Sequence, residues 1–583
     1  MFPHHGKLFR ASSTPWNRRR LPDRERSGVG IIAAIGRRAP RTRALVALIY
    51  GALLLGAVAM LYPLGLLAAG STKSIADQRE HVLIPRFLLN DTALWQKHLE
   101  ALFNESLDAL NIAFDSDYVM FADIPLPPAD APDAAWVPLW REFLAADRLP
   151  STAIALGHYW APQAGAFPFQ LREFRRHLQA KYGSLPAMND ALGTDFDAWY
   201  SVFIQPPTYL FPYAQPDATP LATEFDAFKL SAPAWCQVVL SVEGFYKRLY
   251  LKPRYTKDIS AYNEAHGTAH ATWADITLPA DTPPTATPQE RADRHEFLTH
   301  SLSPLWHTNG RLHTPELAWR AFLAEQQAAG RELPAAQLTA PLPQFAHHAQ
   351  LFRDNKPAIR RELLARNYRT VLDYILFHGR GIFNTVVYCA LAVLLALVVN
   401  PLAAYALSRF RPSATPQILL FLMLTMAFPH MVTQIPVFVL LRELGLLNTF
   451  AALILPGMAS GYSIFLLKGF FDSLPRDLYE SAQLDGAGEW TLFWHITMRL
   501  SAPILSVIAL QAFSVAYANF MYALLICQDP KMWTLMVWLY QLQQRSGPGV
   551  VQASLLLAAI PTLAVFLACQ RVLLRGIVVP VEK

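Results

Sequence analysis

The sequence predicts an all-α polytopic membrane protein with six transmembrane helices and a mainly helical extracytoplasmic domain. Of the 583 residues, 53% are hydrophobic and only 16% are charged, which is more apolar than an ordinary soluble domain. The apolar residues are concentrated in 44–70 and again from 381 onwards. A helix crosses a bilayer with about 20 apolar residues, and several runs reach that length. Between them, residues 71–380 have the mixed composition of an aqueous domain.

Residues 1–43 form a basic tail that we expect in the cytoplasm. Nine arginines lie between residues 18 and 43, directly before the first apolar run. Basic residues flank transmembrane helices mainly on the cytoplasmic side. We expect the tail to contact anionic membrane lipid, whereas nucleic-acid binding is the less favoured interpretation. The run 44–70 is longer than the apolar core of a signal peptide, so we interpret it as a retained first transmembrane helix.

Five further transmembrane helices are predicted in the C-terminal region. Their expected ranges are 381–407, 416–441, 450–471, 502–527 and 552–574. With a cytoplasmic N-terminus, six spans also place the C-terminus in the cytoplasm and residues 71–380 outside the inner membrane. Four arginines agree with this topology, because they fall on the predicted cytoplasmic side: Arg409, Arg411, Arg571 and Arg575.

Two prolines, Pro429 and Pro436, lie inside the predicted span 416–441. A proline removes one backbone donor and bends a helix, which membrane proteins tolerate where neighbours or water satisfy the freed carbonyl. We interpret both residues as candidate kinks beside a pathway through the membrane. A simple irregularity of packing explains them equally well.

Residues 71–380 are predicted to form one or two helical domains. They contain a candidate internal repeat at 182–199 and 255–273. Seven residues recur with a one-residue shift: Tyr182, Ala187, Asn189, Ala191, Gly193, Thr194 and Trp199 correspond to Tyr255, Ala261, Asn263, Ala265, Gly267, Thr268 and Trp273. The string Trp140-Arg-Glu-Phe-Leu also returns as Trp319-Arg-Ala-Phe-Leu. A duplication explains these similarities, with chance as the alternative.

No catalytic, cofactor-binding or metal site is predicted. His266 and His270 have the spacing of two zinc ligands on a helix, but Gly267 between them weakens that helix. The sequence contains no Gly-x4-Gly-Lys-Ser/Thr phosphate loop. We therefore expect no cofactor and no enzyme activity, and in particular no ATP hydrolysis by this chain.

The segment 472–503 is polar enough to leave the membrane, yet it carries the signals of a short helix. Asp472 or Ser473 can cap its N-terminus, and Pro475 suits its first turn. A short capped helix between two predicted spans would lie on the cytoplasmic side in the topology given above.

An apolar stripe and a glycine complete the pattern in this segment. Leu474, Leu478 and Ala482 recur four residues apart and predict one apolar face. Gly486 can end the helix in the left-handed conformation. The segment therefore predicts a helix, a tight turn and a second amphipathic stretch. The simpler alternative is a solvated connector that only joins two spans.

The spacing within this loop resembles the signature of ABC importer permeases. Glu480-Ser481-Ala482 is followed after three residues by Gly486 and after nine more by Ile496. The family signature reads Glu-Ala-Ala, three residues, Gly, nine residues, Ile-x-Leu-Pro. Ser481 is a mild departure, and Met498-Arg499 replaces the usual Leu-Pro.

Three further strings resemble the carbohydrate-uptake, maltose-type branch of the family: Leu444–Thr449, Leu484–Ala487 and Pro561 with Gln570-Arg571. The resemblance covers 381–583 as a permease core and the first span loosely, and it does not cover 71–380. It implies a coupling loop, 472–503, that docks on an ATPase. The residues it assigns to coupling are Glu480, Ser481, Ala482, Asp485, Gly486, Ala487 and Ile496.

The resemblance also implies partners: an ABC ATPase subunit dimer, a second permease subunit and an extracytoplasmic solute-binding protein. The expected function is ATP-driven import of a solute, with a sugar or oligosaccharide favoured. One alternative is a membrane-anchored sensor or scaffold whose residues 71–380 bind an external ligand. Another alternative is that residues 71–380 act as an enzyme on oligosaccharides. The favoured role for residues 71–380 is docking of the binding protein.

Overall fold

The first predicted span is a single helix, α1, Pro40–Gly70, whose apolar window has a mean hydropathy of 2.5. The computed structural model describes residues 40–159, 167–204, 209–212, 219–334, 341–377, 379–427 and 429–574. Residues 1–39 of the predicted basic tail therefore lie outside the described residues. One structural unit ends at Gly65 within α1, and a second begins at Leu66. The remaining elements all belong to the second unit.

Residues 71–377 are mainly helical, as predicted. Helices α2 to α13 are Asp91–Leu102, Leu107–Phe114, Val137–Ala145, Phe169–Tyr182, Leu185–Leu192, Pro220–Ser231, Val242–Phe245, Lys252–Tyr255, Ile259–His266, Pro288–Glu296, Pro315–Ala328 and Gln344–Phe377. The π-helical stretches Tyr246–Leu251 and Phe297–Ser301 join α8 to α9 and extend α11. Two antiparallel pairs of short strands complete the region: β1 Ile154–Ala155 with β2 Val238–Val239, and β3 His307–Thr308 with β4 Arg311–Leu312.

Most helices in this region begin where the sequence supplies a capping oxygen. The side chain of Thr219 accepts a hydrogen bond from the backbone N–H of Ala222, and that of Thr314 accepts one from the N–H of Leu317. A proline follows each threonine, where its missing N–H costs no hydrogen bond and its fixed φ suits the first turn. Local sequence therefore sets the start of α7 and α12.

Three helices, α3, α6 and α10, end in the same turn, which an asparagine side chain closes. The carboxamide oxygen accepts the backbone N–H seven residues on and the hydroxyl five residues on, and the NH2 group donates to the carbonyl seven residues on. The residues are Asn111, Asn189 and Asn263, and these hydrogen bonds are 2.8 to 3.3 Å long. A left-handed residue ends each helix: Asp115, Gly193 and Gly267.

The second and third of these turns coincide with the two segments of the predicted repeat. The turn at Asn111 is a third segment that the sequence comparison missed, because Asp115 and Phe121 stand where the others have glycine and tryptophan. The common turn supports a shared structural unit, while duplication as its origin stays a prediction.

Aromatic side chains fill the cores of this region. Trp95, Trp140, Trp306 and Trp319 are among its most deeply buried side chains. The rings of Trp140 and Trp319, from the two recurring strings, pack edge to face with centroids 5.3 Å apart. These tryptophans therefore serve packing, since burial leaves their faces closed to a ligand.

The C-terminal region contains α14 to α25: Gly381–Arg409, Thr415–Ala427, His430–Glu443, Phe450–Ile454, Gly461–Asp472, Arg476–Leu484, Glu489–Thr491, Met498–Leu500, Ala502–Ala518, Phe520–Ile526, Leu535–Gln543 and Pro548–Leu574. Within the described ranges, three helices are long and apolar enough to cross a membrane: α1, α14 and α25. The count rises to six if each of three bent helix pairs is one span. Six unbroken spans are therefore not found among the described residues.

Breaks interrupt three of the predicted spans, and a proline lies at two of these breaks. The span 416–441 is divided between α15, which ends at Ala427, and α16, which begins at His430 directly after Pro429. The span 450–471 bends by 50° after Pro456 and Gly457. Helix α22 ends at Ala518, well short of the predicted 527, because the backbone of Asn519 leaves the helical conformation.

The long helix α13 packs against both residues 87–363 and the C-terminal region. Its Phe352 and Leu363 are buried in the main core of residues 87–363. Near its C-terminal end, Val371 packs in a separate cluster with residues of α24 and α25, such as Leu539 and Val550. The helix therefore connects the two regions through side-chain packing.

Candidate functional site

The predicted helix of loop 472–503 is α19, and it ends in a glycine turn. The N–H of Ala487 donates to the carbonyl of Ala482 at 2.9 Å, and the N–H of Gly486 donates to that of Gln483 at 3.0 Å. This pair of bonds closes a helix through a left-handed residue, and Gly486 has φ +83°. The predicted stop at Gly486 is thus the conformation found.

Two details of the prediction for this helix are wrong. Asp472 and Ser473 do not cap α19, because Asp472 ends α18, where it accepts from the hydroxyl of Ser408 at 2.6 Å. The buried face is also displaced. Of the predicted stripe, Leu474 is buried before the helix and Ala482 packs against the core, but Leu478 is 44% exposed, and Tyr479 is buried in its place.

The second half of the loop is a continuous helical stretch from α20 to α21 with a wide turn in its middle. Residues Leu492–Thr497 are π-helical, and the hydroxyl of Thr497 donates to the Leu492 carbonyl at 3.2 Å. The wider turn places Leu492 and Phe493 side by side in the core formed with α14 and α22. Ile496 is partly buried against the same core.

Two hydroxyl hydrogen bonds fix the loop: one joins its two halves, and the other joins it to α14. Tyr479 lies 2.8 Å from the hydroxyl of Thr497, and Tyr405 of α14 donates to the carboxylate of Glu489 at 2.7 Å. The guanidinium of Arg409 stacks over the Tyr479 ring, 5.0 Å from its centroid. Burial raises the pKa of Tyr479 above its ordinary value, so its hydroxyl stays protonated.

The outer face of the loop exposes large apolar side chains. Leu484 is 90% exposed and Trp490 is 66% exposed, and Leu478 and Trp494 are also exposed. A Cβ at Gly486 would meet no atom within 4 Å. Apolar groups gathered on a polar loop are typical of a surface that contacts another protein.

The residues that the resemblance assigned to coupling divide between two environments. Glu480, Ser481, Asp485 and Gly486 are exposed, whereas Ala482, Ala487 and Ile496 are partly buried. The two residues that replace the usual Leu-Pro of the signature also differ in environment: Met498 packs against the core, and Arg499 is exposed. Sequence reasoning missed the aromatic residues of this site, although the four-residue spacing of Trp490 and Trp494 was a usable signal.

The candidate kinks and the discarded metal pair occupy ordinary structural positions. Pro429 precedes the first residue of α16, and Pro436 lies inside that helix. His266 is buried, with Nε2 2.8 Å from the carboxylate of Asp293 and Nδ1 2.8 Å from the Tyr262 carbonyl, so neither nitrogen is available. Among the described residues, no group of three or more His, Cys, Asp or Glu side chains could hold a metal ion.

Comparison with known proteins identifies the family of the C-terminal region. Residues 385–578 match the family described as binding-protein-dependent transport system inner membrane component. A putative ABC transporter permease, ORF2 of Caldicellulosiruptor sp. (strain Rt8B.4), is 30% identical over 236 residues, which are 40% of this chain and 85% of that protein. The lactose transport system permease LacG of Rhizobium radiobacter is 30% identical over 196 residues, 33% of this chain and 72% of that protein.

A further relative is the sn-glycerol-3-phosphate transport system permease UgpE of Yersinia enterocolitica, 31% identical over 204 residues, 34% of this chain and 73% of that protein. A solved bacterial ABC transporter involved in alginate import covers 35% of this chain and 78% of its own at 24% identity and a TM-score of 0.32. Proteins of this family are transport subunits and not enzymes. On the sequence matches, this chain belongs to the ABC transporter permeases, the inner-membrane components of binding-protein-dependent transport systems.

Proposed function

We propose that this chain is the permease subunit of an ATP-driven ABC importer that moves a sugar or oligosaccharide across the cytoplasmic membrane. The name of the lactose permease among its relatives supports a sugar. So do the strings Leu444–Thr449 and Leu484–Ala487, which resemble the carbohydrate-uptake branch. In this proposal the six spans include the three bent helix pairs, both termini are cytoplasmic and residues 71–380 are extracytoplasmic.

The proposal places the coupling to ATP hydrolysis in loop 472–503. The observation that carries it is the exposure of Leu484, 90%, at the tip of a loop whose inner side is fixed to the spans. An exposed leucine costs solvation free energy unless a partner covers it. Glu480 and Asp485 flank it, so the partner cleft is expected to be apolar with basic margins.

A movement of α19 can reach the spans through the anchored inner face. Tyr479 moves with α19 and is hydrogen bonded to Thr497, which lies three residues before the break at Leu500 and Ser501. The following helix, α22, is bent by 80° from the loop stretch. We propose that displacement of the loop changes this bend, and that Pro429 and Pro436 are kinks beside the pathway.

The partners follow from the same mechanism. An ATPase subunit dimer would supply the energy, a second permease subunit would complete the pore, and an extracytoplasmic solute-binding protein would deliver the sugar. Docking of that protein is the role we propose for 71–380.

The experiment reconstitutes the complex with its ATPase and compares Leu484→Asp with Leu89→Asp. Leu89 is 78% exposed in the domain, so it controls for adding a charge to an exposed leucine. Leu484→Asp should keep the folded permease and lose most solute-stimulated ATP hydrolysis, while Leu89→Asp keeps it. Full coupling in Leu484→Asp would exclude the loop as the docking element.

A further inference from the structure

A cavity of about 190 Å³ lies where the domain meets the permease core. Its walls come from three segments: residues 73–78 after α1, Arg366 and Asn367 of α13, and residues 547–550 at the start of α25. A water molecule occupies about 30 Å³ in the liquid, so the cavity can hold a group larger than one water. Two of its lining residues, Lys73 and Arg366, are cations, and none is acidic.

Arg366 is the unexplained residue of this cavity. Only 5% of the residue is exposed, and its Nη2 has no hydrogen-bond partner in the part of the chain that the structure describes. No ion pair joins Arg366 to any carboxylate among the described residues. The nearest acid on the same helix face, Glu362, already pairs with Arg172 and Arg369. A buried guanidinium without a counter-charge is unfavourable, so its retention points to an anion that the chain itself does not supply.

The other positive groups converge on the same space. The Lys73 ammonium donates to the backbone carbonyl of Glu80, a neutral acceptor that leaves its charge uncompensated. Helix α25 is 27 residues long and starts at the cavity, where its first N–H groups and the helix dipole favour a negative ligand. The carboxylates nearest to the 73–78 segment, Asp77 and Glu100, bind Lys97 and Ser74 and do not line the cavity.

Hydrogen bonds and close packing between the three segments hold the walls of the cavity in place. The carboxamide of Asn367 donates to the carbonyls of Ser71 and Lys73 at 2.8 and 2.9 Å. At Gly549 a Cβ would clash with the same Lys73 carbonyl and with the Asn367 amide, so only glycine permits this approach of α25. The three segments therefore form a fixed cavity whose cationic groups are already oriented.

We propose that this cavity binds a phosphate group, held by Arg366, Lys73 and the N-terminus of α25. A guanidinium and a helix N-terminus both suit the oxygens of phosphate. The site adjoins the ends of two helices able to span a membrane, α1 at Gly70 and α25 at Pro548. In the proposed topology, on which this step rests, the ends of spans lie at the depth of lipid head groups. The phosphate can therefore belong to a phospholipid or to a soluble phosphate.

The test measures the thermal unfolding of the purified full chain in neutral detergent. One arm adds inorganic phosphate at constant ionic strength, and the other adds phosphatidylglycerol with diacylglycerol of the same acyl chains as the uncharged reference. Stabilisation of the wild type by inorganic phosphate assigns a soluble ligand, and stabilisation by phosphatidylglycerol alone assigns the lipid. Either result supports the site, whereas no response to both overturns it.

Variants connect the response to the cavity. Arg366→Gln should weaken the apparent affinity about tenfold, the loss expected for one charge-assisted hydrogen bond. The matched control is Arg361→Gln, an exposed arginine of the same helix, which should respond like the wild type. An equal response in Arg366→Gln overturns the proposal.

A second outcome separates binding from a purely structural role. Arg366 also borders a small cavity of about 20 Å³ that it shares with Glu362, where one water could join the two. If that contact were its role, Arg366→Gln would lower the unfolding temperature without phosphate and leave the phosphate response intact, which contradicts the proposal. Should Arg366→Gln fail to fold, Lys73→Gln decides, and an unchanged affinity there overturns the site.

Discussion

The phenolic oxygen of Tyr479 lies 2.8 Å from the Thr497 hydroxyl, and this contact joins the two halves of loop 472–503. Because Thr497 donates its proton to the Leu492 carbonyl, Tyr479 is the donor of the pair. The bond crosses the glycine turn and is buried on both sides. The loop is therefore one folded unit and not two independent segments.

Tyr479→Phe should lower the free energy of unfolding by about 1 kcal/mol, because a buried hydroxyl loses its donor. It should also reduce the solute transported per ATP hydrolysed, since α19 could then move without Thr497. Thermal unfolding in detergent and transport in proteoliposomes measure the two effects. Tyr462→Phe is the control, since Tyr462 is 42% exposed. Equal stability of the two variants would show that the bond is not maintained.

Gly486→Ala should destabilise the loop by about 1–2 kcal/mol, because its φ of +83° is costly for a residue with a Cβ. Gly488→Ala provides a close control. Gly488 has φ −78°, and a Cβ meets no atom within 4 Å at either glycine, so the two differ mainly in backbone conformation. Hydrogen exchange of residues 476–491 should rise in Gly486→Ala alone, and equal exchange in both variants would contradict the left-handed turn.

Asn111→Ala, Asn189→Ala and Asn263→Ala should each cost roughly 1–3 kcal/mol, because each removes a carboxamide that closes a helix-ending turn. The largest loss is expected for Asn111, which is only 1% exposed. Urea unfolding of the full chain measures the losses, with Asp190→Ala, an exposed neighbour in α6, as the control. If only one of the three variants were destabilised, the turns would not be equivalent units.

Glu316 should make the domain less stable as pH rises. Burial and the neighbouring carboxylate of Glu243 raise the pKa of Glu316 from 4.5 to about 7. The folded state then binds a proton that the unfolded state has lost, so the free energy of unfolding falls between pH 4.5 and 7, by at most about 1.4 kcal/mol per unit.

Glu316→Gln should flatten this dependence, because glutamine keeps an oxygen that can accept from Ser241 but does not titrate. Thermal unfolding as a function of pH is the measurement. Glu325→Gln, an exposed residue of the same helix, should keep the wild-type slope. A wild-type slope in Glu316→Gln would assign the dependence to other groups.

Local signals predicted the loop well, whereas contacts between distant residues could not be read from sequence. The stop at Gly486 depends on one residue and its conformation, so the residue type was sufficient. The face of α19 was misassigned because a stripe counted from Leu474 does not say where the helix begins. The bond from Tyr405 to Glu489 joins residues 84 positions apart, and nothing near either residue signals the other.

The same distinction applies to the spans and to the cavity. Hydropathy identified α1, α14 and α25, but it averages over breaks, so the interruption at Pro429 was predicted only as a kink. Arg366 resembles any other arginine of a long helix. Its burial against residues 73–78 and α25 arises only when three remote segments meet, which a single sequence does not reveal.

Helix α13 has a consequence for how the domain can be studied. It is one helix of 34 residues whose side chains belong to the core of the domain at one end and to the α24–α25 cluster at the other. Excising 71–380 would therefore remove Val371 from its contact with Leu539 and Val550 and expose an apolar surface on α24 and α25. If a truncated permease failed to transport, the loss of this packing would explain the failure as well as the loss of a docking surface would. Point variants on the outer face of the domain are therefore the informative probes.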